Sequence, residues 1–180
     1  MDFIGAAFKS ILRIDEPRGP QRRAAELLAV HGASVLVVAQ TGVGKSAIPL
    51  AVLALLCGVV LVIVPLFGVG ADQTARTMKA ARGVIAYHLD NLYGKKKREV
   101  IAKLSALKPD DPDMFVVYAS PQTMRKGGGW YELFGTLIAH KTLLLVCYDE
   151  YHMPVIGAAE LAELSIRVHG TQREHFRSIG

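Results

Sequence analysis

Between Val35 and Ser46 an apolar run rich in β-branched residues, Val35-Leu36-Val37-Val38, gives way through Ala39-Gln40-Thr41 to Gly42-Val43-Gly44-Lys45-Ser46. The order strand, glycine-bearing loop, helix leaves few folds open, because it belongs to sheets built from alternating strands and helices. A helix start offers unpaired backbone N–H groups and the positive end of the helix dipole, so it attracts phosphate oxygens. Gly42 and Gly44 let the loop bend and approach an anion closely. Gln40, Thr41, Gly42, Val43 and Gly44 would line the cradle. Lys45 would reach the β- and γ-phosphates, and the Ser46 hydroxyl would hold Mg²⁺. The full pattern opens on glycine, and Ala39 stands in that place. A strand-to-helix turn without a ligand is the plainer alternative, against which stand the strand before the loop and the helix after it.

A chain of 180 residues, 51% hydrophobic and 21% charged, has room for one domain with a full core, and this composition argues against disorder. The net charge of +5 suits a polyanionic partner without requiring one. Cys57 and Cys147 each lie in an apolar run, as expected of buried thiols in a reducing, intracellular compartment, and two cysteines alone make no zinc site. The start, Met1-Asp2-Phe3-Ile4, lacks the basic segment and cleavage site of a secretory signal. No residue from Ala47 to Ala71 is charged, and about 20 apolar residues suffice to span a bilayer. Pro49, Gly58, Pro65, Gly68 and Gly70 interrupt the stretch, however. It reads better as a buried helix over 47–56, a turn at Cys57-Gly58 and a buried parallel strand over 59–64, with no membrane span.

Apolar spacing predicts helices over 1–14, 21–31, 71–81, 94–107, 120–125 (short) and 130–139. Strands are expected at 35–38, 59–64, 83–87, 114–119 and 142–148, and a loop over 65–70. The remainder to Gly180 is helical in pattern. Strands alternating with helices imply an α/β fold with a mostly parallel sheet, helices on both faces and ligands beyond the C-terminal strand ends. Lys95-Lys96-Lys97-Arg98 reads as a solvated helix start, with phosphate contact as the alternative. Trp130 has the spacing of a core residue, with base stacking as the alternative.

A second centre lies at Leu143-Leu144-Leu145-Val146-Cys147-Tyr148-Asp149-Glu150, a buried strand delivering two carboxylates at its tip. Phosphoryl transfer to water needs a metal ligand and a group to orient the water. Asp149 and Glu150 can divide those tasks, Asp149 toward Mg²⁺ and Glu150 toward water.

With these residues in view the chain resembles a known family. Asp149-Glu150-Tyr151-His152 is similar to the Asp-Glu-x-His box of superfamily 2 helicases, and Ala39 to Ser46 to their first motif. The RecQ type fits best. Pro65-Leu66-Phe67-Gly68-Val69-Gly70-Ala71-Asp72-Gln73 resembles its Pro-Leu-x-x-Leu-x-x-Asp-Gln segment, and Ser120-Pro121-Gln122 its Thr-Pro-Glu. Pro17-Arg18-Gly19-Pro20-Gln21 is similar to its Phe-Arg-Pro-x-Gln motif. The chain departs from that pattern at Pro17, where an aromatic ring is expected, and at Tyr151, where a small residue is usual.

The resemblance implies a RecA-like, phosphate-loop NTPase domain that binds ATP and Mg²⁺. It also implies nucleic-acid-dependent ATP hydrolysis, as in the first motor domain of a 3′-to-5′ DNA helicase. On it, Lys45, Asp149, Glu150 and His152 are catalytic, Arg18 and Gln21 recognise the base, and Ser46 and Asp149 hold the metal. Nucleic acid, DNA rather than RNA, is the implied partner, and the nucleus is the implied compartment if the source is eukaryotic. Residues 1–16 are then an N-terminal helix and linker, and 17–180 the RecA-like domain, with motifs over 17–152. The stretch from Met153 to Gly180 is too short for a second RecA-like domain, which a longer chain or a partner would supply. A truncated or degenerate nucleotide- and DNA-binding module without unwinding activity is the alternative. A small kinase or GTPase is disfavoured, since no guanine-reading Asn-Lys-x-Asp occurs.

Overall fold

The computed structural model describes residues 2–40, 42–64 and 67–149, with the backbone alone over 67–69. Thr41, Glu150, Tyr151 and His152, and the helical pattern expected toward Gly180, lie outside the described residues. Helices α1 (Phe3–Leu12), α2 (Gly19–Ala29) and α3 (Ala47–Leu56) precede strand β1 (Gly58–Ile63). Helix α4 (Phe67–Ala80), strand β2 (Val84–His88), helix α5 (Gly94–Ser105) and strand β3 (Met114–Ala119) follow. Helix α6 (Gly129–Ala139) and strand β4 (Leu143–Tyr148) end the described part, with short 3₁₀ turns at Leu89–Asn91 and Pro121–Met124.

The four strands form one parallel sheet in the order β2-β3-β1-β4. Their residues are apolar on both faces because both faces are covered, as in other parallel sheets. Val59, Leu61 and Ile63 of β1, with Phe115 and Val117 of β3, meet Val100 and Leu104 of α5 and Leu133, Phe134 and Leu137 of α6. Val60, Val62 and Val64 meet Leu50 and Leu53 of α3 and Ile11 of α1 on the other face. A further apolar cluster joins Ile4 and Phe8 of α1, Ala24 and Ala25 of α2, and Ala47, Ile48 and Ala51 of α3. The chain is thus α/β, with helices on both faces of the sheet. Trp130 is buried in the α5–α6 layer, with the Lys97 ammonium 5.0 Å from its ring centroid, so it is a core residue and offers no stacking platform. The uncharged stretch resolves into α3 and β1, and no helix among the described residues is long and apolar enough to cross a membrane.

Two expectations are corrected. The run 35–38, read as the strand leading into the phosphate loop, belongs to no strand of the sheet. Val35 and Val37 pack against the α1–α2–α3 cluster, while Leu36 and Val38 are 74% and 87% exposed. A period of two requires that one face be buried, and here helices bury it instead of a neighbouring strand. Of the loop expected over 65–70, residues 67–70 are helical instead, because α4 begins at Phe67. Gly70 lies inside that helix because α4 passes close to the end of β2: a Cβ on Gly70 would sit 2.5 Å from His88 Nε2. Its smallness serves close approach.

Candidate functional site

Gly42 and Gly44 both adopt left-handed backbone conformations, φ 85° and 80°, which side-chain-bearing residues rarely enter. The turn closes as the N–H groups of Ala47 and Ile48 donate to the carbonyls of Gly44 (3.1 Å) and Lys45 (3.1 Å). Helix α3 then starts with Ser46 at its N-cap, its side chain making no capping bond. Lys45 Nζ curls back over the loop and donates to the carbonyl oxygens of Ala39 (2.7 Å) and Gln40 (3.2 Å). An ammonium held on carbonyls at the mouth of such a loop stands where phosphate oxygens would displace them. The donor set of left-handed glycines, a loop lysine and an uncommitted Ser46 hydroxyl fits a nucleoside triphosphate with its metal.

Gln21 lies against this loop. Its Oε1 accepts the Arg18 backbone N–H (2.9 Å), closing the first turn of α2, and its Nε2 donates to the carbonyls of Val43 (3.1 Å) and Gly44 (3.0 Å). The residue is nearly buried, and a Cβ on Gly44 would approach its Nε2 to 2.7 Å. Both ends of the amide are therefore engaged by protein, and a base edge would have to take the place of one of these bonds. The Arg18 side chain is exposed beside it, as is Gln40.

Asp149 stands at the C-terminal end of β4, where a parallel sheet presents its ligand-binding residues. Its backbone N–H donates to Ile63 O (2.9 Å), continuing the β1–β4 ladder. Its Oδ2 accepts 2.7 Å from Gln73 Nε2 of α4. One turn further along α4, Thr77 Oγ1 and Tyr118 Oη share a buried hydrogen bond of 2.7 Å. Burial, and secondly the Asp149 charge, push the Cys147 thiol up to about 12; burial chiefly also raises the Tyr118 hydroxyl. The structure thus brings Gln21 to the phosphate loop and Gln73 to Asp149. The bonds of the loop run to α2 and within the loop itself, and those of Asp149 to β1 and α4.

A thiol raised that far is seldom ionised near neutral pH. At pH 8 native Cys147 should be alkylated by iodoacetamide about 10³-fold more slowly than in the unfolded chain, because only the thiolate attacks and its fraction scales with the pKa difference. Peptide mass spectrometry after timed labelling measures this. Equal rates in native and denatured chain would show that the sulfur is not desolvated.

A second polar cluster, unforeseen in the sequence, sits at the ends of β2 and β3. The carboxyl of Asp90 accepts the Ser120 backbone N–H (2.9 Å), the Ser120 hydroxyl and the Thr123 hydroxyl (2.5 Å). His88 Nε2 lies 3.2 Å from its Oδ2, and the His88 and Asp90 side chains are both buried. Asp90 therefore holds the 3₁₀ turn that carries Ser120-Pro121-Gln122. The available signal was positional: both segments directly follow parallel strands. Among the described residues no group of three or more His, Cys, Asp or Glu could hold a metal.

No curated protein matches the chain at a significant level. Residues 18–155 match the DEAD/DEAH box helicase family, a span that takes in α2 with Gln21, the phosphate loop, the parallel sheet and the acidic end of β4. With that match over most of its length, the chain belongs to the DEAD/DEAH box helicase family, whose domains bind ATP and act as motors on nucleic acid.

Proposed function

We propose that this domain binds Mg-ATP on the 40–46 loop and hydrolyses it in response to nucleic acid, as the first motor domain of a RecQ-like 3′-to-5′ DNA helicase. The observation that carries the reading is the loop itself: two left-handed glycines, Lys45 folded over the loop carbonyls and Ser46 at the start of α3. Bound Mg-ATP supplies the phosphoryl group that passes to water, with the metal neutralising phosphate charge. The chain's part is positioning. Lys45 holds the terminal phosphates, and Ser46 and Asp149 would hold the metal. Asp149 is anchored at β1 and α4, so it offers a carboxylate of fixed direction. Glu150 aligns the water and His152 links the nucleotide to the nucleic-acid side, roles that the resemblance assigns to them. Arg18 and Gln21 lie where α2 meets the loop and recognise the base. The RecQ-like reading rests on the similarity of the segments around Gln21, Gln73 and Ser120.

The test is ATP turnover with single-stranded DNA, single-stranded RNA or neither. Unwinding of 3′- and 5′-tailed duplexes is then measured with a second RecA-like domain supplied from a related helicase. DNA stimulation and a requirement for the 3′ tail are expected. No ATP binding at millimolar concentration would overturn the whole reading. Preference for RNA or for a 5′ tail would overturn its RecQ-like part.

A further inference from the structure

Helix α4 has a polar stripe whose purpose neither packing nor the phosphate loop explains. Gly70, Gln73 and Thr77 recur at the spacing of one helix face. Gly70 lies against the His88 ring, Thr77 is bonded to the buried Tyr118 hydroxyl, and Gln73 between them donates to Asp149 Oδ2. The two outer contacts fix the rotation and height of the helix over the sheet. The middle one is therefore presented to the carboxylate in a set direction. Asp149 is pinned from its other side by its own N–H on Ile63 O.

We propose that Gln73 is a positioning residue for the metal-binding carboxylate, holding Oδ2 of Asp149 and leaving Oδ1 as the oxygen that would take the cation. The inference rests on the reading of Asp149 as a metal ligand. Its chemistry is that of a ligating carboxylate oriented by an outer hydrogen bond, an arrangement whose loss typically costs 10–100-fold in metal affinity. The residue type matters. An ammonium in place of the amide would neutralise the carboxylate and compete with the cation, whereas a neutral N–H donor orients the oxygen and leaves the negative charge for the metal. A donor that only satisfied a half-buried acid would serve stability alone, and cation binding separates the two roles.

The experiment uses Mn²⁺ as the probe, followed by electron paramagnetic resonance in the presence of ADP, beside ADP binding in EDTA and thermal unfolding. Gln73→Met keeps length and helix propensity and removes the donor. It should weaken Mn²⁺ binding roughly 10–100-fold while changing metal-free ADP affinity less than about twofold. In an Asp149→Ala background the same substitution should cost nothing further, because the group it positions is gone. Gln73→Lys retains a donor and a long side chain but should lose the cation, which keeps the inference testable if the methionine variant does not fold. Equal losses with and without metal would overturn it, as would undiminished Mn²⁺ binding in Gln73→Lys or a full additional loss in the Asp149→Ala background. A wild-type chain that binds neither ADP nor Mn²⁺ would overturn the proposed function as well. Tight Mn²⁺ binding in wild type and Gln73→Met alike would sink only the role of Gln73.

Discussion

Replacing Lys45 with alanine should weaken ATP binding about 10–100-fold and slow hydrolysis by a further factor of about 10². The first figure follows from deleting one charge-assisted contact to phosphate, about 1.5–3 kcal/mol. The second follows from losing a preorganised positive group where charge develops during transfer. Stability should hardly change, because the carbonyls of Ala39 and Gln40, which Lys45 Nζ now occupies, lie in a solvent-exposed part of the loop where water can take its place. Calorimetric titration with a non-hydrolysable ATP analogue gives the affinity, phosphate release the rate and thermal melting the control. Lys45→Arg should recover part of the affinity and little of the rate, since a planar guanidinium carries the charge in a different shape. An alanine variant with wild-type affinity would mean that the loop is a turn without a ligand.

Replacing Asp90 with alanine should destabilise the domain by about 3–5 kcal/mol, since each buried donor stripped of its acceptor costs about 1–3 kcal/mol and several lose theirs together. The loss is large because three donors converge on one carboxyl: the Ser120 N–H, the Ser120 hydroxyl and the Thr123 hydroxyl. The hydroxyls can turn toward each other, being 3.3 Å apart, but the backbone N–H cannot move without taking the turn with it. Set against a total stability of about 5–15 kcal/mol, the effect would leave the chain close to its folding threshold. Urea denaturation measures it. Asp90→Asn keeps an acceptor and should lose less than half as much. A loss under about 1 kcal/mol for the alanine variant would show that water reaches the cluster.

Much of the fold was legible because its physics is local. β3 lies at 114–119 as its apolar run predicts, bounded by the Pro112-Asp113 turn and by Ser120-Pro121. Helices α5 and α6 follow from their apolar periodicity and the glycines that open them. What failed depended on partners far along the chain. The unbroken apolar run at 35–38 pointed to burial, and it carried no information on whether a strand or a helix would cover it, nor that Leu36 and Val38 would stay exposed. Gly70 read as a loop residue because glycine weakens helices on average, whereas here the place is fixed by a ring on β2. The bends at Gly42 and Gly44 could be read residue by residue, since the backbone demand lies within a few positions. Gln73 with Asp149, and Asp90 with Ser120, are pairs made by the topology, and nothing adjacent to either member announces the other.

The order β2-β3-β1-β4 has a consequence for how the chain comes into being. β1 lies between two strands that both come later in the sequence, one on each side. During synthesis it therefore emerges with both backbone edges bare, directly behind the apolar helix α3, and must wait for β3 and then for β4. Until β4 appears, an apolar segment with an open edge is available to any neighbouring chain that offers a strand. The strand that pairs with the second edge of β1 is the same one that delivers Asp149. A nascent chain thus gains the Asp149 carboxylate in the step that covers the second edge of β1.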